Sequence, residues 1–166
     1  MNIVLLEPEI PYNTGNIGRT CAAVGAALHL IRPLGFSTDD RAVKRAGMDY
    51  WRDVDVRYYA NFQDFINSNK LDHTDGKIRL FMSTTKAPRL YTEAAYGNGD
   101  FIMFGKESAG IPESILCQYS DTIVRIPMLE NRRSLNLSNS VAIVLFEALR
   151  QNGFNGLKFT GRFHNL

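Results

Sequence analysis

Two cysteines and three histidines are too few and too scattered to build a metal centre: Cys21 and Cys117 lie far apart, and His29, His73 and His164 stand singly. Neither zinc-type ligand spacing nor a disulfide framework can be drawn from them, and both cysteines are expected to be reduced and structural. Long apolar runs are also missing, since none approaches the roughly 18 residues of a membrane span. The chain opens directly on the strand-like Asn2-Ile3-Val4-Leu5-Leu6 with no basic leader, so a soluble, cytoplasmic protein without a membrane partner is expected. An excess of one charge is absent as well. Nineteen Lys and Arg against 17 Asp and Glu leave +2, so any nucleic-acid contact must rest on a local basic patch rather than on net charge.

The familiar nucleotide and hydrolase signatures fail one by one. Gly15 and Gly18, or Gly105 and Gly110, do not have the spacing of a dinucleotide-binding G-x-G-x-x-G. Gly105-Lys106 is followed by Glu107 where a Walker A loop needs Ser or Thr, and Asp100 stands where its first glycine belongs. Ser108 has Lys106 two residues before it, not the glycine of a nucleophile elbow. Without a covalent nucleophile or a metal, positioning and electrostatics must carry any chemistry.

What is present is a chain of 166 residues, 45% hydrophobic and 22% charged, the size of one globular domain over residues 1–166. Short apolar runs at Ile3-Leu6, Leu28-Ile31, Val54-Tyr59, Ile78-Met82, Phe101-Phe104 and Thr122-Ile126 alternate with helical patterns. Those patterns are Gly15-Gly25, Asp39-Ala46, Phe62-Asn69, Pro112-Cys117 and Ser138-Asn152, while Asp72-Lys77 and Tyr96-Asp100 have turn composition. The alternation predicts an α/β fold with a mostly parallel sheet and helices on both faces.

Three segments after strands are polar: Asn13-Thr14-Gly15-Asn16-Ile17-Gly18-Arg19, Gly105-Lys106-Glu107-Ser108-Ala109-Gly110 and Arg133-Ser134-Leu135-Asn136-Leu137-Ser138-Asn139-Ser140. In an open α/β sheet such ends converge on one crevice. Ser138 or Asn139 would suffice to cap a helix starting near Ser140, which leaves Ser134 and Asn136 with hydrogen-bonding capacity for a ligand. That helix is apolar around its circumference at Val141-Phe146, so two-sided burial, and hence a homodimer, is expected; loops of the same chain are the other cover. Gly18, Ala22, Ala23, Gly25 and Ala26 form a small-residue surface suited to close approach by another backbone or by the sheet.

Together, Asn13-x-Gly15-x-x-x-Arg19, Phe104-Gly105-x-Glu107-x-x-Gly110-Ile111-Pro112, and Ile126-Pro127 with Ser134-Leu135-Asn136-Leu137-Ser138 resemble the three motifs of the SPOUT class of RNA ribose 2′-O-methyltransferases. Glu7-Pro8-Glu9-Ile10-Pro11 and Arg45-Ala46-Gly47-Met48-Asp49-Tyr50-Trp51 resemble its short, TrmL-like branch, and the similarity spans nearly the whole chain. The resemblance implies a C-terminal trefoil knot, S-adenosylmethionine as donor (S-adenosylhomocysteine as product), and methylation of the ribose at the tRNA wobble nucleotide, position 34, cytidine or modified uridine. A non-catalytic adenosine-ligand or RNA-binding module is the rival class.

The resemblance also implies roles for residues. Ile126, Met128 and Leu135 would grip adenine, and Ser83, Thr84 and Gly105 would line the wall near the ribose and methionine portions. Gly105 could equally serve its own turn. Arg19 would hold an RNA phosphate beside the acceptor ribose. In the family's scheme it reaches across the dimer to accept the hydroxyl proton, although a guanidinium offers donors and no acceptor; a solvated helix charge is the plainer alternative. Asn13 would orient that loop. Glu107 would steady its loop through backbone N–H groups or meet Arg19, or else serve as an acid at a helix N-terminus. Ser134 and Asn136 would bond the donor's carboxylate end or the acceptor ribose. Arg41, Lys44 and Arg45, at helical spacing, and Arg132-Arg133 are candidates for RNA phosphates. The tail Lys158-Phe159-Thr160-Gly161-Arg162-Phe163-His164 mixes bases with aromatics, as single-strand binders do, a frayed terminus being the commoner explanation.

Overall fold

The structure, a computed structural model, describes residues 1–37, 49–71 and 79–161. Among these, six strands form one sheet: β1 (Asn2–Leu6), β2 (Ala27–Ile31), β3 (Val56–Tyr59), β4 (Leu80–Ser83), β5 (Phe101–Phe104) and β6 (Ile123–Val124). Their order is β3-β2-β1-β5-β4-β6 and every pairing is parallel. The helices are α1 (Pro11–Val24), α2 (Phe62–Asn69), α3 (Glu113–Leu116) and α4 (Leu137–Gln151), with 3-10 turns at Asp49–Asp53, Tyr91–Glu93 and Cys117–Thr122.

Strand alternation divides the core in two. Ile3, Leu5, Leu28, Leu30, Ile102 and Phe104 face α1 and α4, where they pack with Ile17, Cys21, Val141, Val144, Leu145 and Ala148. Val4, Leu6, Ile31, Met103 and Phe101 face the other way, toward Phe65 and Ile66 of α2 and Leu116 of α3. The near-continuous apolar strands follow from this: a parallel strand covered on both faces has no solvent side to leave polar. Edge strand β3 leaves Arg57 and Tyr58 exposed; in the core the polar exception is His29, fully buried on β2 and held by polar partners, with Nδ1 2.8 Å from the Tyr59 hydroxyl and Nε2 3.3 Å from Asn2 Oδ1.

The predicted strands are found with shifted ends. β3 and β4 begin two residues later than expected, and the pairing of β6 is confined to Ile123–Val124, with an isolated bridge between Leu90 and Arg125 beyond it. The larger correction concerns Asn13-Thr14-Gly15-Asn16, which lies inside α1 rather than in a loop. Asn and Gly disfavour helix interiors, but Pro11 sets the first turn, and Asn13, Thr14 and Gly15 are buried, so tertiary packing outweighs propensity. At the far end Gly25 takes a left-handed φ of 67°, and its N–H bonds to Cys21 O. The small-residue surface of α1 is met partly by the chain itself: a Cβ at Gly18 would press on the Trp51 ring at 3.3 Å. Cys21 is buried, and burial pushes its thiol up to about 12, whereas Cys117 is exposed and not part of the core. The predicted helix Asp39-Ala46 and turn Asp72-Lys77 lie outside the described residues.

The order in which the chain adds strands switches sides between β1 and β5. From β1 the chain builds outward through β2 and β3, then crosses to β4 and β5 on the other side. The carboxyl ends of β1 and β5 are therefore the point where loops diverge and a crevice opens.

Candidate active site

A cleft of about 620 Å³ occupies that point, within the range of sites for small ligands. Four stretches of chain build it. Ser83 ends β4, with Thr84, Thr85 and Lys86 after it; residues 104–111 run on from the end of β5; Ile126 and Met128 follow β6, leading to Arg133–Leu137 and Ser140; and Ile10 and Asn13 come from the start of α1. Ser83, Thr84, Gly105, Ile126, Met128, Ser134 and Leu135, the residues expected to bind donor, all line this single cleft, as do Asn13, Glu107, Asn136 and Arg133. Arg19 is exposed on α1 and is not among the lining residues. Arg41, Lys44 and Arg45 lie outside the described residues.

A chain of hydrogen bonds joins the three motifs. Asn136 Oδ1 accepts from Ser138 N at 3.0 Å, Ser138 Oγ at 2.7 Å and Asn139 N at 3.3 Å, which makes Asn136 the N-cap of α4. Its amide Nδ2 donates to Asn13 Oδ1 at 3.0 Å, and Asn13 Nδ2 donates to Glu107 Oε1 at 2.9 Å. Glu107 accepts in addition from the backbone N–H groups of Glu9 at 2.8 Å and Ile10 at 3.3 Å. The carboxylate thus sits at the N-terminus of α1, whose N-cap Ile10 has no side-chain cap of its own, and there it satisfies orphan donors and complements the helix dipole.

This arrangement corrects the expectation of surplus capacity at Asn136. Both ends of its amide are engaged, because α4 starts at Leu137, earlier than expected, and takes Asn136 as its cap in place of Ser138 or Asn139. Ser134 remains, exposed on the cleft wall. For Glu107 the structure gives backbone steadying and the helix-terminal acid at once, although the helix is α1 and not the one that follows Glu107 in sequence.

Gly105 is crowded by its own chain. A Cβ there would run into the backbone of Gly110 and Ile111, where the segment folds back to bridge Lys106 and Gly110. The turn alone requires glycine, and the resulting backbone wall faces the cleft.

Four residues given no site role from the sequence complete this end of the sheet. Glu9 accepts from Ser108 N at 2.9 Å and Ser108 Oγ at 2.8 Å, and Glu7 pairs with Lys106 at 2.9 Å. The Ser108 bonds hold the Glu9 carboxyl below its usual range, and Glu7 raises the Lys106 ammonium. Complementary order offered a signal: Glu-Pro-Glu on one side and Lys-Glu-Ser on the other can interleave only if the two loops touch.

The lining fits a ligand that combines a flat apolar ring, hydroxyls and a charged end. Ile126, Met128, Leu135 and Leu137 supply apolar contact; Ser83, Thr84, Ser134 and Ser140 supply hydroxyls; Arg133 supplies positive charge, as do Lys86 and Lys106, which are themselves paired with Glu113 and Glu7. Among the described residues no cluster of His, Cys, Asp or Glu could hold a metal ion, and no helix is long and apolar enough to cross a membrane.

Comparison with known proteins agrees with the geometry. The chain is 47% identical over 157 residues to a Yersinia pestis protein named tRNA (cytidine(34)-2′-O)-methyltransferase, covering 94% of this chain and 96% of that one. A solved structure described as giving insights into the 2-OH methylation of C/U34 on tRNA superposes with a TM-score of 0.83 at 41% identity, over 92% of this chain and 95% of that one. An AdoMet-bound rRNA methyltransferase from Sinorhizobium meliloti superposes with a TM-score of 0.76 at 26% identity, over 90% of this chain and 55% of the other. Residues 1–146 match the model of the SpoU rRNA Methylase family, and the chain belongs to that family.

Proposed function

We propose that this protein transfers a methyl group from S-adenosylmethionine to the ribose 2′-hydroxyl of the wobble nucleotide, position 34, of tRNA, and that it does so as a homodimer in the cytoplasm. The observation that carries the proposal is the convergence of all the expected donor-binding residues on one cleft whose loops are tied together by Asn136, Asn13 and Glu107. A SPOUT-type trefoil knot formed by the segments after β5 and β6 belongs to the same proposal, as does a single domain over residues 1–166.

When bound, the donor supplies an electrophilic methyl group on a sulfonium. The chain's own residues do the rest. Ile126, Met128 and Leu135 seat the adenine ring; the Ser83 and Thr84 hydroxyls and the Gly105–Gly110 backbone hold the ribose and methionine portions; Ser134 bonds the donor's polar end or the acceptor ribose. Asn13, Glu107 and Asn136 act as the frame that fixes these loops, since their polar atoms are engaged with one another and with backbone. Arg19 clamps an RNA phosphate. Its position on α1, away from the lining of its own cleft, suits service at the cleft of a second subunit, and Arg133 at the cleft wall suits a phosphate nearer the donor.

The dimer has a physical basis in α1 and α4, which pack together and leave large apolar side chains uncovered. Ile10 is 43%, Tyr12 65% and Phe146 46% exposed, and Ile143 lies at 36%. A second copy burying this face would complete the two-sided burial of α4.

Titration of the donor into the protein by calorimetry, paired with transfer of labelled methyl to total tRNA, tests the proposal. Binding with transfer is expected. Binding without transfer under any tRNA supply would favour a non-catalytic module of the same fold.

A further inference from the structure

We infer that Glu9 and Ser108 form a latch that sets the donor-side loop, and that Glu9 is a positioning residue acting through Glu107. The inference rests on the donor cleft proposed above. The observation is reciprocity: the Glu9 N–H donates to Glu107, and the Glu9 carboxylate accepts both the N–H and the hydroxyl of the next residue, Ser108. Two neighbours on one loop are thus fastened to a single residue on the other.

The backbone around Glu9 is prepared for this. Glu7 adopts a left-handed φ of 52°, unusual for a residue with a Cβ, and the turn brings Pro8 and Glu9 against the segment after β2. Gly35 N bonds to Pro8 O at 2.9 Å, and a Cβ at Gly35 would lie 2.7 Å from the Glu9 backbone. Glu9 is therefore braced from behind by Gly35 and reaches forward to Ser108, while the Glu7–Lys106 pair adds a second, half-buried attachment. The fastened loop, 105–110, forms one wall of the cleft. Glu107, held from two directions, can then present a fixed acceptor to Asn13, and through Asn13 to Asn136.

Amide exchange in the ligand-free protein and donor calorimetry test the latch together. In Ser108→Ala the amides of Glu9 and Ile10 are expected to exchange faster, although their own partner Glu107 is untouched, and donor affinity is expected to fall about tenfold. Ser108→Thr, which keeps the hydroxyl, should restore both. Arg57→Ala, which breaks the exposed Asp55–Arg57 pair on the edge strand, serves as a control and should alter neither. Unchanged Glu9 and Ile10 amides in Ser108→Ala, or opened amides with donor affinity intact, would overturn the inference. A wild-type chain that binds no donor would instead overturn the proposed function, and the amide response would still decide the latch.

Discussion

At the scale of single residues, several side chains have their chemistry set by burial and by who holds them. His29 is fully buried and neutral, and burial pushes its pKa down to about 4 from an ordinary value near 6.5. The unfolded chain takes up a proton below pH 6.5 that the folded one refuses until about pH 4. Stability is therefore complete above pH 6.5 and falls as the pH drops between those values, by about 3 kcal/mol in all. Denaturant melts at pH 7 and pH 4.5 check this, and the loss should shrink in His29→Gln. Gly105 is fixed by crowding: Gly105→Ala should cost roughly 1–3 kcal/mol because its Cβ meets the Gly110 and Ile111 backbone, with weaker donor binding as the second readout. The role proposed for Arg19 rests on its motif spacing with Asn13 and Gly15, since it does not line its own cleft. Arg19→Ala should reduce methyl transfer about a hundredfold or more while leaving donor binding near wild type, as calorimetry and a transfer assay would show.

At the scale of elements, the strands were legible because a buried parallel strand must be apolar on both faces, and runs of four to six apolar residues bounded by turn composition are too short for buried helices. Their order was not, since nothing local in β1 says that it lies between β2 and β5. The two misread helix starts have a common cause. In α1, Asn13 and Gly15 look like loop residues until burial and the bond to Glu107 hold them in the helix. In α4, Ser138 and Asn139 look like caps until Asn136, one turn earlier, takes that place because Asn13 orients its amide. Asn136→Ala should lose the cap and the tie at once, for about 1–2 kcal/mol of stability and weakened donor affinity. Asn136→Asp keeps the acceptors of the cap and should recover most of the stability, but without an N–H for Asn13 it should not recover the affinity. Thermal melts and donor titration separate the two.

At the scale of the whole molecule, the sheet brings the ends of β1, β4, β5 and β6 together at the cleft, and the proposed dimer would pair through the exposed apolar side chains of the α1–α4 face. The all-round apolar pattern of Val141–Phe146 predicts two-sided burial; in the single chain Ile143 and Phe146 stay exposed, and the proposed dimer is what would cover them. Phe146→Asp should shift the chain from dimer to monomer in sedimentation and remove methyl transfer, with donor binding retained in each subunit. A trefoil knot leaves no trace in periodicity, because it concerns the path of the chain and not the pattern of any element; only the family motifs pointed to one.

The most direct test of the central claim is to incubate the wild-type protein with labelled S-adenosylmethionine and total tRNA and to map the methylated nucleoside. A ribose-methylated nucleoside at position 34 is expected. A methyl group on a base, a ribose methyl at another position, or no transfer from a bound donor would contradict it.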